Sequence, residues 1–108
     1  MSYGARDRLL VFKDKVETGR DGLNAPTYDV QEVTRAWASK RDLSDAERVT
    51  AGMELSERVA RFVMASTATL RALTAEAVFK LDGQTWDIKG AKDIDRRDIE
   101  ITAKRRSD

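Results

Sequence analysis

The 108-residue sequence contains no cysteine and no histidine. Without cysteine, disulfide bonds and thiolate metal ligands are excluded, and without histidine the commonest general base and zinc ligand are missing. Aromatic residues are also few, with two Trp, two Tyr and three Phe. A core built mainly from aliphatic side chains is thin, and a partner surface would add to its stability. The missing residue types weigh against an enzyme, and we expect no catalytic, cofactor or metal residues.

An excess of charge of one sign is lacking as well. Twenty Lys and Arg residues oppose nineteen Asp and Glu residues, so the net charge is +1 and gives no overall attraction to nucleic acid or membrane. Residues 1–7 lack the apolar region of a signal peptide, and no run approaches the roughly eighteen apolar residues of a membrane span. We expect one domain over residues 1–108, because so short a chain buries too little surface to divide. Since neither a signal peptide nor a membrane span is recognised, we expect the chain to be made in the cytoplasm.

Several segments have the pattern of β-strands. The first runs from Leu9 to Val16, and the turn-forming residues 19–26 then predict a loop longer than a two-residue turn. Residues 28–39 predict a strand with a bulge near Gln31 and Glu32, although Val30 and its apolar neighbours also allow a helix. Residues 58–64 alternate with period two and predict another strand.

The sequence Asp82-Gly83 lies between two β-type runs and predicts a tight hairpin with a type I′ turn. Counting outward from the turn places Leu81 opposite Gln84, Phe79 opposite Trp86 and Ala77 opposite Ile88. After a break at Gly90, residues 99–103 alternate as a last strand.

Two segments between the strands are less regular. Ser44 and Glu47 have the spacing of a capping box and predict the start of a short helix, whereas residues 67–76 fit either helix or loop. The chain is therefore predicted to be mainly β: a small antiparallel β-barrel or sandwich, with one short helix or flexible loop inserted between strands.

The order of these features resembles the head-closure, or head-tail joining, family of tailed bacteriophages and its relatives in gene-transfer particles. The resemblance covers residues 6–106 and departs at residues 67–75, where the family often has an Arg-aromatic-Arg-Pro-Gly-like turn. It is carried by a first hairpin with a turn-rich tip, Trp37-Ala38-Ser39, a polar insertion, and the hairpin Asp82-Gly83-Gln84-Thr85-Trp86-Asp87-Ile88 before the final strand.

The resemblance implies a structural virion protein rather than an enzyme. Its copies would form a ring in the particle neck between a portal-side adaptor ring and a tail-side protein. The ring would close the head after DNA packaging and continue the DNA channel without specific DNA binding. Assembly would take place in the cytoplasm of the host bacterium.

The inserted segment, residues 42–57, is acidic. It has five acidic residues against one basic residue, so five minus one leaves four net negative charges. A solvated helix face explains this charge, and a channel-lining loop that repels DNA phosphates is the functional alternative. The candidate channel-lining residues are Asp42, Asp45, Glu47, Glu54 and Glu57.

Both ends of the chain are basic, and a flexible basic tail is predicted over residues 104–108. Such ends contact acidic partners or simply keep the chain soluble. The candidate partner contacts are Arg6, Arg8, Lys104, Arg105 and Arg106.

Two further patterns have competing interpretations. Trp37, Phe79 and Trp86 form either part of the core or a platform for stacking bases, as in a nucleic-acid-binding OB-like barrel, and core packing is favoured. Asp93 and Asp95 are interpreted as surface ion-pair partners rather than half of a metal site. The predicted core comprises Trp37, Phe62, Phe79, Leu81, Trp86, Ile88, Ile99 and Ile101.

Overall fold

The computed structural model describes residues 4–44, 47 and 58–106, in which six strands close into a barrel with the order β1-β2-β3-β6-β5-β4. Every pair of neighbouring strands is antiparallel. The mainly β fold is confirmed, as a barrel rather than a sandwich. Its strands are β1 (Arg8–Arg20), β2 (Pro26–Asp42), β3 (Val59–Ala65), β4 (Val78–Leu81), β5 (Gln84–Asp93) and β6 (Asp98–Arg105).

The first two strands extend well beyond the barrel. β1 pairs with β4 only as far as Lys13, and β2 pairs with β3 only from Ser39 onward. Between these limits the two strands pair only with each other. We call this two-stranded ribbon, residues 14–33, the arm. At its tip the Asp21 carboxylate accepts hydrogen bonds from the amides of Leu23 and Ala25.

The bulge predicted in the second strand is present. Phe12 pairs with Thr34 and Lys13 with Glu32, so Val33 is the extra residue. A bulge bends the strand and increases its twist. It lies where β2 passes from the barrel into the arm.

The Asp82-Gly83 hairpin has the predicted register near its turn. Leu81 pairs with Gln84 and Phe79 with Trp86, and both turn residues have positive φ angles, 51° and 78°. These angles fit the type I′ turn. Ala77 lies just before β4, so its predicted pairing with Ile88 is not part of the ladder.

Replacing Gly83 with alanine is expected to lower the free energy of unfolding by about 1 kcal/mol, because a side chain at φ +78° strains the backbone. No atom would contact the added Cβ, so the cost is conformational alone. Urea unfolding measures it, with Gly22→Ala as the matched control in an exposed loop that has ordinary φ. An equal loss of unfolding free energy in both variants would contradict the assignment of a positive-φ turn at Gly83.

The predicted break at Gly90 is wrong. β5 continues through Gly90 to Asp93, paired with β6 along its length. The register shifts between Ile88 and Gly90, which leaves Lys89 as a bulge residue. The glycine therefore marks a bulge rather than the end of a strand.

Aromatic rings fill the middle of the barrel. Phe79 lies 5.3 Å from Phe12, 5.0 Å from Phe62 and 6.0 Å from Trp86, measured between ring centroids. Of the predicted core, Ile88 is partly buried and packs against this cluster. The others that are buried are Phe62, Phe79, Leu81, Trp86, Ile99 and Ile101.

Trp37 does not belong to the core, and that prediction is wrong. It lies opposite Leu9, which alternates along β1 with the buried Leu10 and Phe12. Paired residues on neighbouring strands share a face, so Trp37 points out of the barrel. Its side chain is 58% exposed.

The ambiguous segment after β3 forms a short helix, α1 (Ala68–Arg71). Thr67 caps it by accepting a hydrogen bond from the Leu70 amide, and Leu70 is buried against the core. Among the described residues no helix is long and apolar enough to cross a membrane.

The capping box predicted at residue 44 is formed. The Glu47 amide donates to Ser44 Oγ and the Ser44 amide donates to a Glu47 carboxylate oxygen, both at 3.2 Å. The rest of the predicted helix, including Val49, Gly52 and Met53, lies outside the described residues.

Candidate functional site

One face of the β1–β2 sheet is exposed outside the barrel. Leu9 pairs with Trp37, Lys15 with Val30 and Glu17 with Tyr28. Leu9, Lys15 and Glu17 are separated by even numbers of residues along β1, so they lie on one face. Their partners on β2 lie on the same face. Trp37 and Val30 are an odd number of residues apart on β2, and the extra residue Val33 brings both onto this face.

Three large apolar side chains on this face are exposed: Tyr28 by 51%, Val30 by 69% and Trp37 by 58%. We call them the β2 stripe. Between them, Glu32 and Arg35 form an ion pair at 2.7 Å. Tyrosine and tryptophan are enriched among the residues that contribute most to protein interfaces. The β2 stripe is therefore a candidate contact surface.

Three strand edges are open in the described part of the chain, and the one on β1, residues 14–20, begins against the segment that follows α1. The edge of β2 that faces β3 is unpaired over residues 26–38. The edge of β5 that faces β4 is unpaired over residues 88–93. An open edge presents unpaired backbone donors and acceptors that bind another strand.

The open edge of β5 borders a groove of about 360 Å³. Leu70, Leu73 and Ile99 contribute apolar surface, while Ile88 and Ala91 belong to the open edge itself. Arg71 and Lys92 supply two basic side chains at its walls and Asp93 one acidic side chain. We call it the β5 groove.

Asp14 fixes one wall of this groove to the base of the arm. Its carboxylate accepts hydrogen bonds from the Thr74 amide (2.8 Å), Thr74 Oγ1 (2.6 Å) and the Lys15 amide (2.8 Å). Burial by itself raises the pKa of Asp14, but the hydrogen bonds from Thr74 and Lys15 outweigh it and hold the pKa below the ordinary 3.8. Lys15 adds an ion pair with Glu76 at 3.4 Å.

Two of the candidate channel-lining residues are described, and both are paired. Asp42 ends β2 and lies 3.2 Å from Lys40 Nζ. Glu47 accepts a hydrogen bond from Arg41 at 3.0 Å and lies 3.9 Å from Arg61. The Arg41 side chain and the Ser44 amide lower the pKa of Glu47 to about 2. Asp45, Glu54 and Glu57 lie outside the described residues.

The flexible basic tail predicted over residues 104–108 is wrong for residues 104–106, and residues 107–108 lie outside the described residues. Lys104 and Arg105 lie in β6. Arg106 donates from Nε and Nη2 to the Asp87 carboxylate and from its amide to the Thr85 carbonyl. Backbone pairing and this bidentate contact order the segment.

The amino-terminal basic residues also have partners within the chain. Arg6 forms an ion pair with Asp98 at 2.7 Å, and Arg8 lies 3.9 Å from Asp82. The structure thus does not bring Arg6, Arg8, Lys104, Arg105 and Arg106 together as one free basic surface. Their role as partner contacts stays a prediction.

The alternative to core packing, an aromatic platform for stacking bases, is not formed. Phe79 and Trp86 stack at an interplanar angle of 7° inside the barrel, while Trp37 is outside it. Asp95 caps a turn by accepting from the amides of Arg97 and Asp98, which lowers its pKa. The described residues contain no group of three acidic side chains placed to hold a metal ion.

Sequence reasoning missed the β2 stripe and the Asp14 contact. Asp14 is in phase with the buried Leu10 and Phe12, which was a usable signal for an inward carboxylate. Tyr28 and Val30 share a phase too, but whether that phase points into the barrel or out of it depends on how β2 pairs with β1. Local pattern does not contain that information.

A family model described as phage head completion protein matches residues 1–106. The structure of protein SF1141 from Shigella flexneri 2a covers 100% of this chain and 99% of its own, with a TM-score of 0.75 and 18% identity. A chain from the virion of a native gene transfer agent particle covers 91% of this chain and 92% of its own, with a TM-score of 0.58 and 24% identity. No curated protein matches. The two structural likenesses bear on the fold, and the family match extends over nearly the whole sequence.

Proposed function

The chain belongs to the phage head completion protein family, structural proteins of the phage head, and on that premise we propose that its copies form a ring at the particle neck. The ring lies between a portal-side adaptor ring and a tail-side protein. It closes the head after DNA packaging and continues the DNA channel. The observation that carries this proposal is the family match over residues 1–106.

The surface of the chain supports a role in assembly. A monomer rarely leaves large apolar side chains and long strand edges exposed together. Here β2 has both, in the β2 stripe and in its unpaired residues 26–38. A chain that works inside a larger particle covers such surfaces with its neighbours.

Deleting the gene for this chain tests the proposal. We expect DNA-filled heads that lose their DNA and carry no tails, because the neck is left open. Electron microscopy and the nuclease sensitivity of the packaged DNA measure this, with the wild-type gene supplied in trans as the control. A normal yield of tailed, infectious particles from the deletion would contradict the proposal.

We place the acidic segment, residues 42–57, at the wall of the channel. Negative charge there opposes binding of the DNA phosphates and lets the DNA slide past. Glu47 is tied to Arg41 and Arg61, so part of its charge is already balanced. The test leaves Glu47 unchanged, because replacing it would also disturb those ion pairs.

Replacing Glu54 and Glu57 together with lysine is expected to slow DNA ejection and lower the infectious titre, because the wall would then attract phosphate. The matched control is glutamine at both positions, which removes the negative charges without adding positive ones. Ejection rates of assembled particles measure the effect. Equal rates for the lysine variant and the wild type would exclude this position for the segment.

A further inference from the structure

Open strand edges on two sides of one chain suggest how its copies meet. The β2 edge is unpaired over residues 26–38, and the β5 edge is unpaired over residues 88–93. Strands about 4.8 Å apart satisfy each other's backbone groups whichever chains they come from. Both halves of such a contact are therefore present in this molecule.

The β2 edge cannot pair with the β5 groove of its own chain. The β1 side of the arm lies against the groove wall, where Asp14 contacts Thr74 and Lys15 contacts Glu76. The two edges of a two-stranded ribbon face opposite directions. The β2 edge thus faces away from its own groove and is open to another chain.

The chemistry of the two surfaces fits. The β5 groove has an apolar floor that includes Leu70, Leu73 and Ile99. The arm offers Tyr28 and Val30, both more than half exposed. Between residues 15 and 33 the sequence has four acidic and two basic side chains, while the groove walls have two basic and one acidic. Opposite net charges favour their encounter.

We propose that the β2 edge of each arm adds as a strand to the open β5 edge of the next copy, with Tyr28 and Val30 against the β5 groove. This deepens the ring proposed above and rests on it. The two surfaces differ, so the contact runs head to tail and closes into a ring when the rotation per copy divides a full turn. It also covers the open edges of β2 and β5.

Cross-linking tests this contact, and because the natural chain has no cysteine, it contributes no thiols other than the introduced ones. A variant with Val30→Cys and Ala91→Cys places one thiol on the arm and one on the groove wall. Paired strands bring Cα atoms within about 4.5–5.5 Å. A short bismaleimide spans that distance and tolerates a small difference in register.

We expect treated particles to lose the monomer band and to gain a ladder of multiples of 12.2 kDa. The matched control pairs Val30→Cys with Lys80→Cys, since Lys80 is exposed on the outer face of β4. Far-ultraviolet circular dichroism confirms that both variants keep the barrel. If either variant is not incorporated, the same comparison is made on the concentrated free chain.

Several results would overturn the contact. They are a ladder no stronger than that of the control, a cross-linked monomer, or a band that joins the chain to a different protein. If the chain is present in particles and its deletion removes tails, such a result rejects only the arm-to-groove contact. A deletion without effect rejects the ring proposal itself.

Discussion

Replacing Phe79 with alanine is expected to lower the free energy of unfolding by about 3–5 kcal/mol. Phe79 is fully buried, and three other rings lie within 6.0 Å of its centroid. Removing it leaves a cavity and also ends the ring-to-ring contacts with Phe12, Phe62 and Trp86. Domains of this size have only about 5–15 kcal/mol in total, so much of the stability is at stake.

Chemical denaturation followed by tryptophan fluorescence measures this loss, because Trp86 stacks on Phe79. Tyr28→Ala is the matched control, an aromatic truncation on the exposed arm. It removes the exposed contact between Lys15 and the Tyr28 ring and is expected to cost only about 0.5–1 kcal/mol. Comparable losses in the two variants would show that Phe79 is not the centre of the core.

Replacing Asp14 with asparagine is expected to cost about 2–3 kcal/mol at neutral pH. The amide side chain has one acceptor oxygen, whereas the carboxylate binds the Thr74 amide, Thr74 Oγ1 and the Lys15 amide. A buried donor left unpaired costs about 1–3 kcal/mol. The base of the arm would loosen from the segment that follows α1.

The same substitution removes a pH dependence. The pKa of Asp14 is lower in the folded chain than the ordinary 3.8. Its contribution is therefore complete above the unfolded value and is lost as the pH falls through the folded value. The difference in unfolding free energy between the wild type and Asp14→Asn should therefore shrink as the pH falls through the folded-state pKa of Asp14.

Urea unfolding at several pH values between neutral and acidic measures this difference. Asp29→Asn, an exposed carboxylate on the arm, is the matched control and should give a small difference at each pH. A constant gap between the wild type and Asp14→Asn down to the lowest pH would contradict the hydrogen bonds to the ionised carboxylate.

Much of the barrel follows from local pattern. A type I′ turn requires positive φ at both central residues, and Asp82-Gly83 tolerates this, which fixes the turn and hence the pairing of Phe79 with Trp86. The alternation of Ile99 and Ile101 places both inside because one face of β6 meets the core. In these segments local propensity and tertiary packing agree.

The errors arise where a bulge or a distant partner decides the outcome. Gly90 looks like a strand end, yet β6 holds it within a ladder that a bulge bends. Trp37 has the size of a core residue, but its phase relative to Leu10 places it outside. The alternation of apolar residues identifies a strand, but it does not show which face of that strand packs against the core.

The length of the arm was also beyond local reasoning. Residues 14–33 alternate like any hairpin, and only the points where β4 and β3 stop pairing reveal that they project. The candidate contact surface depends on that projection.

The most direct measurement of the central claim is cryo-electron microscopy of intact particles at a resolution that traces strands. We expect a ring of six-stranded barrels around the DNA path between portal and tail, each arm lying against the β5 edge of the next copy. Density for this chain elsewhere in the particle, or a neck without such a ring, would contradict it.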